Sequence, residues 1–316
     1  MLHVRGLGKA FRKGHWLRPG ERVPVLEDIG FTVERGEVVG LLGANGAGKT
    51  TILHAIAGLL KPDRGEILFD GAPLTARAAQ RIVGLCSAAD RSFYFRLSMR
   101  ENLEFFARLY GLHGCALKAR VDAVLAITDL TAVGGRRYSR CSTGTRQRLS
   151  IARALLHEAQ ILLLDEPTRA VDPLHAQMLR TFVRDDLAKR AGKTIVLATN
   201  LLEEAWNVCD RIVLLSGGRT IGIDTPAALS RRFVKTMRYR VDFDRIDTTL
   251  ALRASRFGDI ELRPSSAGAE MIADVQAQPD SVSGFLREIL HGESRVKSIT
   301  SCAPDAEDLF VHEASR

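Results

Sequence analysis

The chain has 316 residues, 46% of them hydrophobic and 26% charged, the balance of an ordinary globular protein with room for one main domain and a smaller one. No apolar stretch approaches the roughly 20 residues that cross a bilayer, and the start Met1-Leu2-His3-Val4-Arg5-Gly6 lacks the apolar centre of a signal peptide, so the chain is expected to stay in the cytosol. The formal charge of +8 suits phosphate, nucleic acid or an anionic membrane face, and equally a set of solvated surfaces.

In chain order, an alternating N-terminal strand carries Phe11, and the stretch from Arg12 to Val23, with Lys13, Arg18 and Arg22, reads as a basic surface loop or a partner contact. The apolar run Val38-Val39-Gly40-Leu41-Leu42 predicts a buried parallel strand. It leads into Gly43-Ala44-Asn45-Gly46-Ala47-Gly48-Lys49-Thr50-Thr51, and then into a helix over Thr50 to Leu60 with Ile52, Leu53, Ile56, Ala57 and Leu60 on one face. Strand, glycine-rich loop and helix in that order make a phosphate-binding loop. Gly43, Gly46 and Gly48 are expected to take positive φ, so that backbone N–H groups and the helix N-terminus face phosphate oxygens. Lys49 then reaches the β- and γ-phosphates, and Thr50 ligates Mg²⁺.

Further on, Ile161-Leu162-Leu163-Leu164-Asp165-Glu166-Pro167 is a short apolar run ending in two carboxylates. That pattern puts acids at the C-terminal edge of a buried strand, where α/β sheets bind ligands. Asp165 is placed to hold Mg²⁺ through water, and Glu166 to act as the general base for an attacking water. Pro167 ends the strand. Between the two half-sites, Cys141-Ser142-Thr143-Gly144-Thr145-Arg146-Gln147-Arg148 precedes an amphipathic helix that Ser142 is suited to cap. Cys86, Cys115, Cys141, Cys209 and Cys302 are odd in number, scattered and without a Cys-x-x-Cys pair, so they read as reduced packing residues and not as disulfides or zinc ligands.

From the Ser142 segment onward the chain resembles the ATP-binding cassette (ABC) ATPases. Ser142 and Gly144 match their Leu-Ser-Gly-Gly-Gln signature, while Thr143 and Thr145 depart from it. Thr168-Arg169-Ala170-Val171-Asp172-Pro173 is similar to the family's D-loop, and Thr194 to Thr199 to the strand before its switch residue. The resemblance implies an α/β P-loop NTPase over residues 1–224, with a RecA-like core, an antiparallel β subdomain and a helical subdomain. It also implies that two cassettes pair head to tail, as a homodimer or a heterodimer, so that Ser142 and Gly144 meet a γ-phosphate held by the partner. By the same resemblance ATP with Mg²⁺ is bound through Gly43, Asn45, Gly46, Gly48, Lys49, Thr50, Thr51, Ser142, Gly144 and Asp172. Phe11 lies where the family stacks an aromatic on adenine, or is simply core.

Two positions depart from the family. After Ile82-Val83-Gly84-Leu85 the usual Gln is absent from Cys86-Ser87-Ala88-Ala89-Asp90; Ser87 or Asp90 takes part of its role, or the segment is a plain loop. Asn200 stands where the switch His is expected, and Asn can donate a hydrogen bond but cannot carry charge or shuttle a proton. Hydrolysis is therefore expected to be slowed. Arg91 to Leu103, with Phe93, Tyr94 and Phe95, follows the family's path into the subdomain that docks a permease, and its exposed aromatic and Arg content suits an interface.

Beyond residue 224, Met237, Tyr239, Val241 and Phe243 alternate with Arg238, Arg240, Asp242 and Asp244 as a half-buried strand. A helix near 248–257, strands near 259–263 and 269–275, a helix near 282–290, a strand near 295–300 and a final helix from Pro304 complete the order βαββαβα. This predicts a small ferredoxin-like α+β domain over 225–316. Asp305 to Phe310 resembles the acidic-aromatic ending of daunorubicin-resistance-type exporter ATPases. The leading expectation is the ATPase subunit of an ABC exporter, on the cytoplasmic face of the membrane beside a separately encoded permease, with no nucleic acid partner. The alternatives are an ATP-sensing regulatory subunit with little turnover, and a non-transport ABC ATPase acting on nucleic acid or ribosomes. The latter is disfavoured by the single cassette and the lack of a coiled-coil insertion between Lys49 and Ser142.

Overall fold

The computed structural model describes residues 1–12, 20–87, 92–169, 171–233, 236–245, 249–265, 268–276, 279–291 and 294–302. The chain divides into two compact units, Met1–Pro226 and Ala227–Arg316. In the first, β1 (Leu2–Arg12) pairs antiparallel with β2 (Arg22–Val33), and β3 (Val38–Gly43) runs directly into the glycine loop and α1 (Lys49–Ile56). Next come β4 (Arg64–Phe69), β5 (Ala72–Pro73), α2 (Ala76–Ile82), β6 (Val83–Ser87), and the helices α3 (Met99–Leu109), α4 (Gly114–Ile127) and α5 (Thr143–Leu155). The unit closes with β7 (Ile161–Asp165), α6 (Pro173–Thr181) and its π-helical continuation Phe182–Arg190, then β8 (Thr194–Thr199), α7 (Leu202–Val208), β9 (Arg211–Ser216) and β10 (Arg219–Asp224).

These strands make two sheets. β2-β1-β4-β5 is antiparallel, and β10-β9-β3-β8-β7-β6 is parallel except for its edge strand β10. Helix α1 is buried between them: Ile52, Leu53 and Ile56 meet Leu2, Val4, Leu7 and Ile29 from one sheet and Val39, Leu41 and Val196 from the other, all essentially without solvent exposure. β3, β7 and β8 are continuous apolar runs because both faces of the parallel sheet are covered. The α/β P-loop class read from the sequence is therefore what the chain adopts.

Helix α1 starts one residue earlier and stops sooner than the periodicity predicts. Gly58 turns left-handed (φ +70) and has the Cα of Ala76 only 2.7 Å from where a Cβ would sit. The Gly58 N–H then reaches the Ala55 carbonyl and the Leu59 N–H the His54 carbonyl, which terminates the helix as a Schellman motif. The helical subdomain is held by α3, whose first turn carries a reciprocal capping box between Ser98 and Glu101. Fully buried Asn102 accepts from the Tyr94 N–H and donates to the Tyr94 and Ser98 carbonyls, which fixes the loop leading into that helix.

In the second unit α8 (Pro226–Phe233) precedes β11 (Thr236–Arg245), α9 (Leu250–Ala254), β12 (Gly258–Ser265), β13 (Gly268–Gln276), α10 (Pro279–His291) and β14 (Arg295–Cys302). One antiparallel sheet, β12-β13-β11-β14, packs Tyr239, Val241, Phe243, Met271, Ala273 and Val275 against Leu250, Ala254, Phe285 and Ile289 of the two helices. Of the alternation read across 237–244, Tyr239, Val241 and Phe243 face this core. The final helix expected from Pro304, with Asp305 to Phe310, lies outside the described residues, as do Lys13, Arg18 and Asp90.

Candidate nucleotide-hydrolysis site

The glycine loop is shaped by close approach as much as by torsion. Gly46 and Gly48 have φ +84 and +98, but Gly43 does not have positive φ, contrary to expectation. It is required for a different reason: as the last residue of β3, a Cβ there would sit 2.6 Å from the Leu215 carbonyl oxygen of the neighbouring strand β9. At Gly48 a side chain would meet Leu26 at 2.4 Å. Asn45 and Gly46 form the exposed tip, and Thr51 is half-buried behind it. Lys49 is only 6% exposed, and its ammonium donates to the Gly43 carbonyl at 2.6 Å and the Ala44 carbonyl at 3.0 Å. Burial lowers its pKa, opposed by the charges of Glu166 and Asp165. The loop thus holds its cation by its own carbonyls, and a phosphate arriving there offers the ammonium stronger, charged acceptors.

Both half-sites meet at the carboxyl ends of β3 and β7. The Thr50 hydroxyl donates to Asp165 Oδ2 at 3.0 Å, although the residues are 115 apart in sequence. Burial raises the Asp165 pKa, the Thr50 hydrogen bond opposes this, and Glu166 adds repulsion. Such a hydroxyl and carboxylate pair is an oxygen donor set suited to a hard cation such as Mg²⁺. Glu166 follows immediately, its N–H bonded to the Ala198 carbonyl at 2.8 Å and its φ at +49, a strained value for a non-glycine residue. That turn carries its carboxylate out of the sheet. The carboxylate does not point free: Arg169 Nη1 lies 2.6 Å from Glu166 Oε2.

Ser142 caps α5, as its position suggested, accepting from the Thr145 N–H at 3.3 Å, and the helix begins at Thr143, ahead of Arg146. Gly144 abuts His175, 3.3 Å from where its Cβ would be. Asp172 caps α6 and bonds His175 Nδ1 at 2.8 Å, which lowers the Asp172 pKa. The signature turn and the Asp172 turn are therefore neighbours. Among the described residues, no hydrogen bond joins Ser142 or Gly144 to Thr50 or Asp165.

The remaining positions divide. Phe11 is 42% exposed, with the Lys9 ammonium 5.7 Å from its ring centroid, so it is a surface ring and not core. Ser87 ends β6 in register with Asp165. Asn200 follows Thr199 at the end of β8, half-buried, on the strand that pairs directly with β3. Of the aromatic run, Tyr94 and Phe95 are exposed, whereas Phe93 is buried between Tyr138, Phe106 and the Arg153 guanidinium, which corrects its reading as an interface residue. Within the Cys141–Arg148 segment, Arg148 pairs with Asp129 and Arg146 covers the Tyr138 ring. Cys86, Cys141 and Cys209 are buried as expected, whereas Cys115 is exposed and not a core packing residue.

Sequence reasoning missed three features: the Arg169–Glu166 pair, the carbonyl cradle of Lys49, and the buried carboxyl of Glu204 on α7. Only the first left a signal, an Arg three residues after Glu166, with no β structure between them. Among the described residues no helix is long and apolar enough to cross a membrane.

The chain matches the ABC transporter family over residues 26–169. It is 38% identical over 201 residues to the ABC transporter ATP-binding protein NatA of Bacillus subtilis, which covers 63% of this chain and 81% of NatA. It is 39% identical over 212 residues to the Nod factor export ATP-binding protein I of Bradyrhizobium diazoefficiens, covering 66% and 68%. Among solved structures it resembles cbiO1 of Clostridium perfringens, part of the ABC transporter complex cbiONQ, with a TM-score of 0.64, 27% identity, and 74% and 90% of the two chains covered. An ATP-binding subunit of an ABC transporter gives 0.59 at 31% identity, over 74% and 93%. With the loop, the paired Thr50 and Asp165, and this likeness in hand, the chain belongs to the ATP-binding proteins of ABC transporters.

Proposed function

We propose that the chain is the ATP-hydrolysing subunit of an exporter, lying on the cytoplasmic face of the membrane and driving a permease encoded separately. The observation that carries the reading is the 3.0 Å contact of Thr50 with Asp165, which sets a hydroxyl and a carboxylate beside Lys49 and one residue from Glu166. Lys49 exchanges its loop carbonyls for the β- and γ-phosphates, Thr50 and Asp165 are the residues that would hold Mg²⁺, and Glu166 orients and deprotonates water once Arg169 releases it. Bound Mg²⁺ supplies charge neutralisation on the transferring phosphoryl oxygens. Ser142, Gly144 and Asp172 act on the nucleotide of a second cassette. Export is the activity named for the Nod factor relative, and membership of a multi-subunit complex is named for the cbiO1 neighbour. Residues 225–316 form a ferredoxin-like accessory domain of the subunit.

A second reading, an ATP-sensing subunit of low turnover, is favoured by Asn200 in place of a switch His and by the Arg169–Glu166 pair. The deciding experiment co-expresses the chain with a candidate permease from its own genome and measures phosphate release by the purified complex in proteoliposomes. Co-purification with ATP turnover several-fold above that of the chain alone is expected. A chain that binds no membrane protein would sink the transport reading, and a complex that binds ATP without turning it over would leave the sensor.

A further inference from the structure

Glu204 is a carboxyl that the site described above does not use. It lies on α7, 1% exposed, and neither of its oxygens has a well-formed hydrogen bond. Around it stand the hydroxyl of Thr168, itself buried and without a well-formed partner, the hydroxyl of Thr199, and the charges of Arg180 and Glu166. Burial pushes its pKa up, the two threonine hydroxyls and Arg180 oppose this, and Glu166 reinforces it. The Thr199 hydroxyl in turn accepts the Leu201 N–H at 3.0 Å, bracketing Asn200. Thr168 lies between Glu166 and the Asp172 cap.

A carboxyl in this position is costly, and an apolar side chain of the same volume would serve the core better. Its surroundings explain why it is there. The turn after β7 carries Glu166, the turn after β8 carries Asn200, and Glu204 is the buried polar group with a threonine from each turn facing it. We infer that Glu204 is a positioning residue for hydrolysis: through Thr168 and Thr199 it ties the Glu166 turn to the Asn200 turn, so that both meet the same γ-phosphate. This rests on the ATPase reading of the site.

The test compares the full-length parent with Glu204→Leu, Glu204→Gln, Thr168→Val and the double variant Glu204→Leu/Thr168→Val, measuring kcat and KM for ATP, nucleotide Kd and Tm. Lys49→Ala serves as the non-binding control. Glu204→Leu should lower kcat about tenfold or more, since misplacing a reacting group by an ångström is that costly, while KM and Kd stay within about twofold of the parent's and Tm does not fall. Glu204→Gln should retain at least half of the parent kcat, because an amide still offers both hydroxyls a partner. Thr168→Val should also lower kcat, and the double variant should be no worse than the poorer single one. Parent kcat in Glu204→Leu or in Thr168→Val overturns the inference; so does an equal loss in Glu204→Gln, or losses that multiply in the double variant. If Glu204→Leu fails to fold, the Gln and Thr168→Val results decide alone. A parent that binds no ATP, like the Lys49→Ala control, would instead defeat the ATPase reading.

Discussion

Replacing Arg169 by Ser should raise basal ATP turnover. Arg169 Nη1 and Glu166 Oε2 are 2.6 Å apart, with the Arg side chain 72% exposed and the Glu 17%. At that separation a pair screened as in bulk water is worth on the order of 1.6 kcal/mol, but an exposed pair held by a long mobile side chain typically contributes about 0.2–1 kcal/mol after screening and entropy. If the pair must open before Glu166 can orient water, removing it lowers the barrier by that amount. A gain of about 1.4- to fivefold in kcat follows. The assay is steady-state phosphate release at saturating Mg-ATP, over a range of salt concentrations. Raising ionic strength should lift the parent toward the variant and leave the variant nearly unmoved, because salt weakens only the pair that remains. Equal or lower kcat in Arg169→Ser at low salt would refute the argument and make Arg169 a helper of Glu166 instead.

Asn200→His should raise turnover about tenfold or more, equivalent to roughly 1.4 kcal/mol in the barrier, since an imidazole can stabilise charge developing at the γ-phosphate; unchanged turnover with the permease present would mean the site is already built around Asn. Deleting residues 229–316 should leave a folded, ATP-binding protein, because Met1–Pro226 is compact by itself and holds every nucleotide residue; insoluble or nucleotide-free protein would show that the two units need each other. Stability should also report on Glu204. Its carboxyl has a pKa above the ordinary 4.5, so the folded protein keeps that proton longer than the unfolded chain does. The stability it contributes is present below pH 4.5 and lost as pH rises through the raised value. The Tm of Glu204→Gln should therefore equal that of the parent in acid and exceed it increasingly as pH rises above 4.5, and a constant difference across pH would contradict the burial of the charge.

The loop from Gly43 to Thr51 and the strand ending in Asp165 and Glu166 were legible because each is a local pattern: an apolar run, a turn composition and a helix face lie within a dozen residues. So was the cap at Ser142, whose hydroxyl bonds three residues ahead. What escaped depends on packing between distant segments. Gly43 is dictated by a carbonyl of Leu215, and the end of α1 at Ile56 by Ala76, which no window around either glycine contains. The same holds for Glu204, whose neighbours come from three separate strand and helix ends, and which in sequence is one of two adjacent acids in the first turn of α7. Its neighbour Glu203 is the exposed one and pairs with Arg180. Helical phase separates the two, but only the position of Thr168 and Thr199 gives the buried one a task.

The central claim is that Glu166 is the base at a site assembled from Thr50, Asp165 and Lys49. The most direct test is ATP binding and single-turnover hydrolysis by Glu166→Gln beside the parent. The account predicts nucleotide affinity within about twofold of the parent's, a rate lowered by on the order of 10²–10⁴, and accumulation of an ATP-bound dimer. Hydrolysis at the parent rate would contradict it, and Glu166 would not be the base.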